Sequence, residues 1–203
     1  MEHTKRLEQF TEVYKGDRFY QEVFNNEEYW PVVDRIPKYT VIDCGALAGE
    51  FSVWIYPFAK QVYAVEPYSE HFKELEDNFA KLEMKNAKAY RLALGKENKD
   101  MFLNVHSRGG HTVTEVVEQE HEVVPCVTLA NFMATNDISK VDILKIDIED
   151  GETNVFTAAD FKKVASKIKF IIGEHLEGLV PLLTKLGFKA TQYNYGYYFE
   201  RAK

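Results

Sequence analysis

Residues 41–50, VIDCGALAGE, join a pair of β-branched residues to two glycines and an acid. Val41 and Ile42 are typical of a buried strand, and Gly45 and Gly49 are spaced to open a loop into a helix. A turn of this kind is expected to present backbone N–H groups to a ligand. The stretch therefore predicts a strand, a ligand-binding turn and a helix, in that order.

Alternating strand and helix patterns continue along the chain from this turn. They are TVIDCG, GEFSVWIYPFA, QVYAVEP, SEHFKELEDNFAKLEM and AKAYRLALG, then the strand-like pieces MFLNVH and HEVVPCVTL, and finally VDILKID, GETNVFTAADF, IKFIIGEH and LEGLVPLLTKLG. The tail FKATQYNYGYYFERA predicts an antiparallel hairpin at the edge of the sheet. The predicted fold is therefore α/β: a Rossmann-like, doubly wound sheet that is mostly parallel, with an antiparallel C-terminal hairpin and helices on both faces.

One domain over residues 1–203 is expected from the length of the chain, with a helical segment at 1–39 and the core at 40–203. Apolar residues at helical spacing within residues 4–30, interrupted at Gly16 and Asp17, predict two short amphipathic helices that precede the core like a lid. These helices either cover the substrate-binding site or form a homodimer contact, and the sequence leaves both open.

The charge balance bears on partners and location. The chain has 25 basic and 32 acidic residues, a formal charge of −7, which offers no general attraction to phosphate backbones or anionic lipid, so neither nucleic acid nor a membrane is an expected partner. Neither a signal peptide nor a membrane span is apparent. The two cysteines, Cys44 and Cys126, are expected to be buried thiols in a reducing compartment, which predicts a cytoplasmic protein.

A carboxylate points to a ribose-containing cofactor. Glu66 ends the second strand about 20 residues after Gly45, the spacing at which a carboxylate accepts hydrogen bonds from ribose hydroxyls. Dinucleotides and S-adenosylmethionine both share that contact. Leu47 stands where the second glycine of a dinucleotide turn is needed, and no phosphate-binding P-loop motif occurs. The alternative is that the glycines make a purely structural turn and that Glu66 caps the next helix.

An ordered set of motifs resembles a known family. VIDCGALAGEFSVW, QVYAVEPYSEHFKELEDN, RLALG, VTL, VDILKIDIEDGE and IIGEH, over about residues 40–176, are together similar to the FkbM-type S-adenosylmethionine-dependent methyltransferases. The resemblance implies a class I methyltransferase sheet with a reversed last strand. It also implies methyl transfer from S-adenosylmethionine, leaving S-adenosylhomocysteine, commonly to a hydroxyl on a sugar or another small metabolite.

The resemblance also assigns cofactor-binding residues. It implies that the methionine end of the cofactor is lined by Asp43, Gly45, Ala46 and Gly49, that Glu66 holds the ribose, and that the remaining contacts come from Pro67, Tyr68, Ala93 and Asp147. Tyr68 would lie on the adenine face and Ala93 at the adenine edge. Two departures from the family, Leu47 in place of asparagine and the acidic run at residues 149–152, leave a catalytically silent domain open.

Catalysis of methyl transfer to an alcohol requires a group that removes a proton. Glu149 and His175 follow the strands VDILKID and IIGEH, whose carboxyl ends are expected to meet one pocket, and they are the predicted catalytic residues. The alternatives are that Glu149 caps the following helix and that His175 packs at the end of its strand. No short-spaced metal-ligand motif supports a metal ion. An O-methyltransferase is the leading hypothesis, against a nicotinamide-dependent oxidoreductase and a silent nucleotide-binding or interaction domain.

Overall fold

The computed structural model describes residues 38–105, 111–117, 120–149, 151–193 and 196–202. In chain order, its strands are β1 Tyr39–Cys44, β2 Ala59–Val65, β3 Ala87–Tyr90, β4 Ala93–Leu94, β5 Lys99–Asn104, β6 Thr112–Thr114, β7 His121–Val127, β8 Val141–Ile146, β9 Ile168–Gly173, β10 Phe188–Tyr193 and β11 Gly196–Arg201. Its helices are α1 Glu50–Ile55, α2 Ser69–Lys81, α3 Leu129–Thr135, α4 Glu152–Thr157, α5 Lys162–Ala165 and α6 Val180–Lys185, with 3₁₀ turns at Tyr56–Phe58 and Glu177–Leu179.

The main sheet has seven strands in the order β10-β11-β9-β8-β1-β2-β3. Its pairs are parallel except for those of β11, which runs antiparallel to both β9 and β10. The predicted Rossmann-like α/β fold and its C-terminal hairpin are therefore confirmed. The hairpin is placed so that its second strand lies inside the sheet, and β10 forms the edge.

Both faces of the main sheet are covered by helices. Successive residues of a strand point to opposite faces, and Val41 packs in one core cluster while Ile42 packs in another. Phe51 and Trp54 of α1 cover the face of Val41. The opposite face is covered by α3 to α6, for example through Phe132. Burial on both faces explains why four of the six residues in each of β1 and β8 are apolar.

A second sheet, in the order β4-β7-β5-β6, lies between β3 and β8 in the sequence. The stretch AKAYRLALG, predicted to be one strand, is divided between the two sheets. The N–H of Leu92 donates to the carbonyl of Tyr90 at 3.1 Å, a tight turn that takes the chain out of the main sheet. The second sheet has its own small core, formed by Ala93, Leu103, Val124 and Cys126.

Glu122 of β7 joins this second sheet to the rest of the domain. Its carboxylate accepts hydrogen bonds from the backbone N–H of Ser69 at 3.2 Å, from the Ser69 hydroxyl, and from Arg91 Nη2 at 2.6 Å. The Ser69 N–H is one of the unsatisfied donors at the start of α2, so Glu122 caps that helix from another element.

Helix α3 was missed by the sequence analysis, although it has an N-cap signal. The Thr128 hydroxyl accepts a hydrogen bond from the N–H of Asn131 at 3.1 Å. The lid predicted within residues 1–39 falls almost entirely outside the described residues, and it stays a prediction together with the proposed division of the domain. Within the described part of the chain, no helix has the length and apolarity needed to cross a membrane.

Replacement of Phe199 tests how much the reversed strand β11 stabilises the domain. Phe199 is fully buried, so Phe199→Ala is expected to lower the free energy of unfolding by about 3–5 kcal/mol through lost burial and an unfilled cavity. Chemical denaturation measures this change. The exposed neighbour Glu200 provides the control, because Glu200→Ala should shift stability by no more than about 0.5 kcal/mol. Equal effects of the two changes would contradict the described packing of β11.

Candidate functional site

A cavity of about 590 Å³ opens at the carboxyl ends of β1, β2 and β8. The main sheet contributes walls through Gly45, Glu66 and Asp147, and the second sheet contributes Met101 and Val113 on the other side. Ligands of open α/β sheets bind at such strand ends. The cavity therefore lies where the sequence predicts a site, but part of its wall comes from a second sheet that the sequence patterns did not reveal.

The turn after β1 uses its own N–H groups within the protein. Gly45 N and Ala46 N both donate to the carbonyl of Val65, at 3.0 and 3.1 Å, and Leu47 N donates to Glu66 Oε2 at 3.0 Å. The expectation that this turn offers these N–H groups to a ligand is therefore wrong. The turn is a structural joint between β1 and the end of β2, and it leaves no cradle of donors for a pyrophosphate.

Gly45 is required for a different reason. Its φ is +77°, and a Cβ atom at this position would lie 1.8 Å from the carbonyl oxygen of Asp147. Only glycine allows the ends of β1 and β8 to approach so closely. The N–H of Asp147 in turn donates to the carbonyl of Cys44 at 3.1 Å, which holds the two strand ends together beneath the cavity.

Glu66 is a buried carboxylate in the cavity wall. Its side chain accepts two backbone hydrogen bonds, from Leu47 N to Oε2 at 3.0 Å and from Tyr68 N to Oε1 at 2.9 Å. Burial is the largest influence on its pKa and raises it to about 7, although both hydrogen bonds oppose the rise. Each carboxylate oxygen keeps acceptor capacity for a further donor. Hydroxyl groups of a ligand could donate hydrogen bonds to these oxygens.

Three rings gather beside Glu66 at the edge of the cavity. The ring centroid of Tyr68 lies 4.2 Å from that of His111 and 4.9 Å from that of His71. Both histidines line the cavity, and Tyr68 packs against the core of the second sheet. His71 was missed by the sequence analysis. Its spacing of three residues from Tyr68, at the start of a helix, is the signal that would have placed the two rings on one side.

Lys145 is a second residue that the sequence analysis missed. It lies on β8 directly opposite Asp43 of β1, and its side chain is 6% exposed. Its Nζ donates to the carbonyl of Gly45 at 2.8 Å and lies 3.6 Å from both Asp43 Oδ1 and Asp147 Oδ2. Burial lowers the pKa of Lys145, but Asp147 and Asp43 together raise it above the ordinary lysine value, so the side chain stays charged.

Asp43 is fully buried beneath the glycine turn. Its Oδ2 accepts a hydrogen bond from the Ser52 hydroxyl at 2.6 Å, whereas its Oδ1 has no hydrogen-bond partner among the residues that the structure describes. Burial raises the pKa of Asp43, and Lys145 and Ser52 oppose the rise. Its side chain does not line the cavity, and Lys145 links it to the turn at Gly45.

The predicted site residues fall into three groups. Those in the cavity wall are Gly45, Glu66, Pro67, Ala93, Asp147 and Glu149. Asp43, Ala46 and Gly49 are buried behind the wall, and Tyr68 is half-buried beside it. The third group is His175 alone, which is 65% exposed, lies outside the cavity wall, and has Nε2 3.8 Å from Glu174 Oε2.

Glu149 and His175 follow neighbouring strands, as predicted, but the backbone directs them differently. Both have left-handed φ values, +52° and +54°, which turn the chain sharply after β8 and β9. Glu149 faces the cavity beside Asn154 of α4, another wall residue that the sequence analysis did not identify. Among the described residues, no group of three or more His, Cys, Asp or Glu side chains is arranged to hold a metal ion.

A family model described as the methyltransferase FkbM domain matches residues 43–189. No curated protein sequence matches the chain. The matched residues include the last two residues of β1, all of β2 and β8, and every residue of the cavity wall.

Solved structures with the same fold are distant in sequence. The FkbM methyltransferase from Methylobacillus flagellatus is 13% identical, with a TM-score of 0.58 over 83% of this chain and 45% of that chain. A putative rRNA methylase from Clostridium thermocellum is 9% identical, with a TM-score of 0.55 over 88% and 96% of the two chains. A SAM-dependent methyltransferase from Aquifex aeolicus is 14% identical, with a TM-score of 0.50 over 93% and 94%. This chain thus spans a little under half of the Methylobacillus protein, and these likenesses establish the fold.

Leu47 provides a test of backbone strain in the site. It adopts a left-handed φ of +49°, a region that asparagine tolerates much better than leucine. We expect Leu47→Asn to preserve or raise the melting temperature, because relief of about 1 kcal/mol of strain offsets the lost apolar contact. Leu186, another half-buried leucine, has an ordinary φ of −85°. Leu186→Asn should therefore lower the melting temperature, and an equal loss in both variants would contradict the strain at Leu47.

Proposed function

The chain belongs to the FkbM methyltransferase domain family, and we propose that this protein transfers a methyl group from S-adenosylmethionine to a hydroxyl group of a small, uncharged acceptor. S-adenosylmethionine is the cofactor. It supplies an electrophilic methyl group on a sulfonium, which is transferred by in-line displacement. What the chain contributes is binding, alignment of the two reactants, and a group that accepts the proton of the acceptor hydroxyl.

Glu66 is the observation that carries this proposal. A carboxylate buried in a cavity wall is costly unless donors satisfy it, and two backbone N–H groups leave part of its acceptor capacity unused. The two hydroxyls of a ribose would complete that set. The pKa of Glu66 is raised to about 7 because the carboxylate is buried with only two hydrogen-bond donors. Further donors, such as ribose hydroxyls, would stabilise its ionised form.

The position of Glu66 suggests how the cofactor would lie. With the ribose at Glu66, the adenine would extend toward Tyr68 and Ala93, at the junction with the second sheet. The methionine end would then extend the other way, toward Gly45 and Asp147, since the cavity continues there. The cavity volume of about 590 Å³ lies within the range usual for small-molecule sites.

Charges near the strand ends favour an uncharged acceptor. Asp147 and Glu149 bring two carboxylates to this end of the cavity, and the nearby cation Lys145 is already engaged in the protein interior. Lys99, at the second sheet, is paired with Glu97 and Glu115. An anionic acceptor would meet repulsion at the carboxylates, and the formal charge of −7 disfavours a nucleic-acid backbone in the same way.

Glu149 is the better placed of the two proposed catalytic residues. It faces the cavity at the end of β8, where an acceptor hydroxyl could approach the donor. His175 would need to turn inward from its exposed position after β9. We therefore assign the role of proton acceptor to Glu149 and keep His175 as the second candidate.

A nicotinamide-dependent oxidoreductase is less compatible with the turn after β1. A pyrophosphate needs free N–H groups there, whereas those of Gly45, Ala46 and Leu47 are bonded within the protein. The side chain of Leu47 also lines the cavity at the position where a second glycine would be required.

Cofactor binding tests the proposal through Glu66. Isothermal titration should show that S-adenosylhomocysteine binds and that NAD does not. Donation by ribose hydroxyls favours the ionised carboxylate, so affinity should rise as pH increases through about 7 and fall by up to about tenfold per pH unit below it. Glu66→Gln should weaken binding at least about tenfold and remove the pH dependence below neutrality.

The exposed Glu76 of α2 provides the matched control, and Glu76→Gln should leave both affinity and pH dependence unchanged. Binding of NAD in preference to S-adenosylhomocysteine would reject the proposed function. Unchanged affinity in Glu66→Gln would reject the ribose role and favour helix capping.

Turnover tests the catalytic assignment, once a panel of small hydroxylated compounds has supplied an acceptor. Glu149→Gln is expected to lower kcat by about 10² or more, because a general base contributes about 10² to 10⁴ in rate, with little change in cofactor affinity. His175→Ala should lower kcat much less. Mass spectrometry of released S-adenosylhomocysteine measures both rates. A larger loss of kcat in His175→Ala than in Glu149→Gln would assign the role of general base to His175. Normal kcat in both variants would exclude both residues from that role.

A further inference from the structure

Lys145 has no role in the function proposed so far, although it is the most unusual side chain of the central strands. It is a cation on β8, a strand whose six residues are all buried. Sequence neighbours on both sides, Leu144 and Ile146, are fully buried apolar residues. Burying an ammonium group costs several kcal/mol, and attraction to the buried carboxylate of Asp43 offsets part of that cost. Compensation of Asp43 does not by itself account for the further contacts of Lys145 with the Gly45 carbonyl and Asp147.

The closest described contacts of Lys145 lie at the floor of the cavity. Its Nζ donates a hydrogen bond to the carbonyl of Gly45 at 2.8 Å. The carboxylates of Asp43 and Asp147 lie at 3.6 Å on either side, too far for ordinary hydrogen bonds but close enough for strong attraction. The ammonium group is thus held between the turn after β1 and the residue after β8.

This arrangement sets two features of the cavity floor at once. The bond to the Gly45 carbonyl fixes the orientation of that peptide, and the attraction to Asp147 directs a half-exposed carboxylate, 31% accessible, back toward the turn. Without Lys145, the two carboxylates would repel each other, and Asp147 would be expected to move outward.

We propose that Lys145 is a positioning residue for the methyl donor, fixing the Gly45 peptide and the Asp147 carboxylate against which the methionine end of S-adenosylmethionine lies. The inference rests on the proposed function, since it takes the direction of the bound cofactor from it. Lys145 itself contacts neither reactant. It acts chiefly through Gly45 and Asp147, and its charge is a lesser influence on the pKa of Glu66, after burial and the two backbone hydrogen bonds.

A truncated ligand separates positioning from general stability. S-adenosylhomocysteine contains the amino-acid portion, whereas methylthioadenosine has the same adenine, ribose and sulfur without it. Lys145→Met should weaken binding of S-adenosylhomocysteine by at least about tenfold and binding of methylthioadenosine by less than about twofold. Isothermal titration at a temperature well below the melting transition of each variant measures the two affinities.

The exposed Lys88 of β3 provides the control, and Lys88→Met should leave both affinities unchanged. Equal weakening of the two ligands by Lys145→Met would show a merely structural lysine, and no weakening would show a dispensable one; either overturns the inference. Wild-type protein that binds neither ligand would instead reject the proposed function.

If Lys145→Met does not fold, Lys145→Gln replaces it, because glutamine keeps a hydrogen-bond donor for the Gly45 carbonyl. The same comparison of affinities for S-adenosylhomocysteine and methylthioadenosine then applies. If neither variant folds, a crystal structure of the wild-type complex with S-adenosylhomocysteine decides. An amino-acid portion resting against the Gly45 turn and Asp147 supports the inference, and one bound elsewhere overturns it.

Discussion

The close approach of β1 and β8 at their carboxyl ends is the constraint on which the site depends. The backbone of Gly45 lies so near the carbonyl of Asp147 that no side chain fits between them. Hydrogen bonds from Asp147 N to the Cys44 carbonyl and from Lys145 to the Gly45 carbonyl hold the contact from both directions. Two strands about 100 residues apart in the sequence thereby form one rigid floor, and Glu66 is joined to it through Leu47.

Local sequence patterns predicted the parts of the molecule that depend on local chemistry. The α/β sheet and its C-terminal hairpin could be predicted from three local features. These are the β-branched residues of β1, the glycines at turns and the alternation of strand and helix patterns. The spacing from Gly45 to Glu66 was enough to predict that a carboxylate lies in the wall of the binding site. These features could be predicted because each depends on the preferences of neighbouring residues or on the parallel arrangement that they imply.

What the sequence could not show depends on strand register and on backbone direction. Lys145 becomes noteworthy only when β8 pairs with β1 and places it opposite Asp43, a pairing that no local pattern specifies. The exposed position of His175 follows from a left-handed residue after β9, which strand propensity does not predict. The second sheet was hidden because β4 has only two residues and β6 only three, too few for a period-two pattern to be recognised.

The separate hydrogen bonding of the second sheet has an evolutionary consequence. Within the described residues, its strands pair with one another and not with the main sheet, and Glu122 ties them to the start of α2. Mutations in β5 and β6 can therefore reshape one wall of the cavity while the β1–β8 floor keeps its geometry. A fold divided in this way can change the wall that the second sheet forms, and with it the ligand that is accepted, without rebuilding the β1–β8 floor.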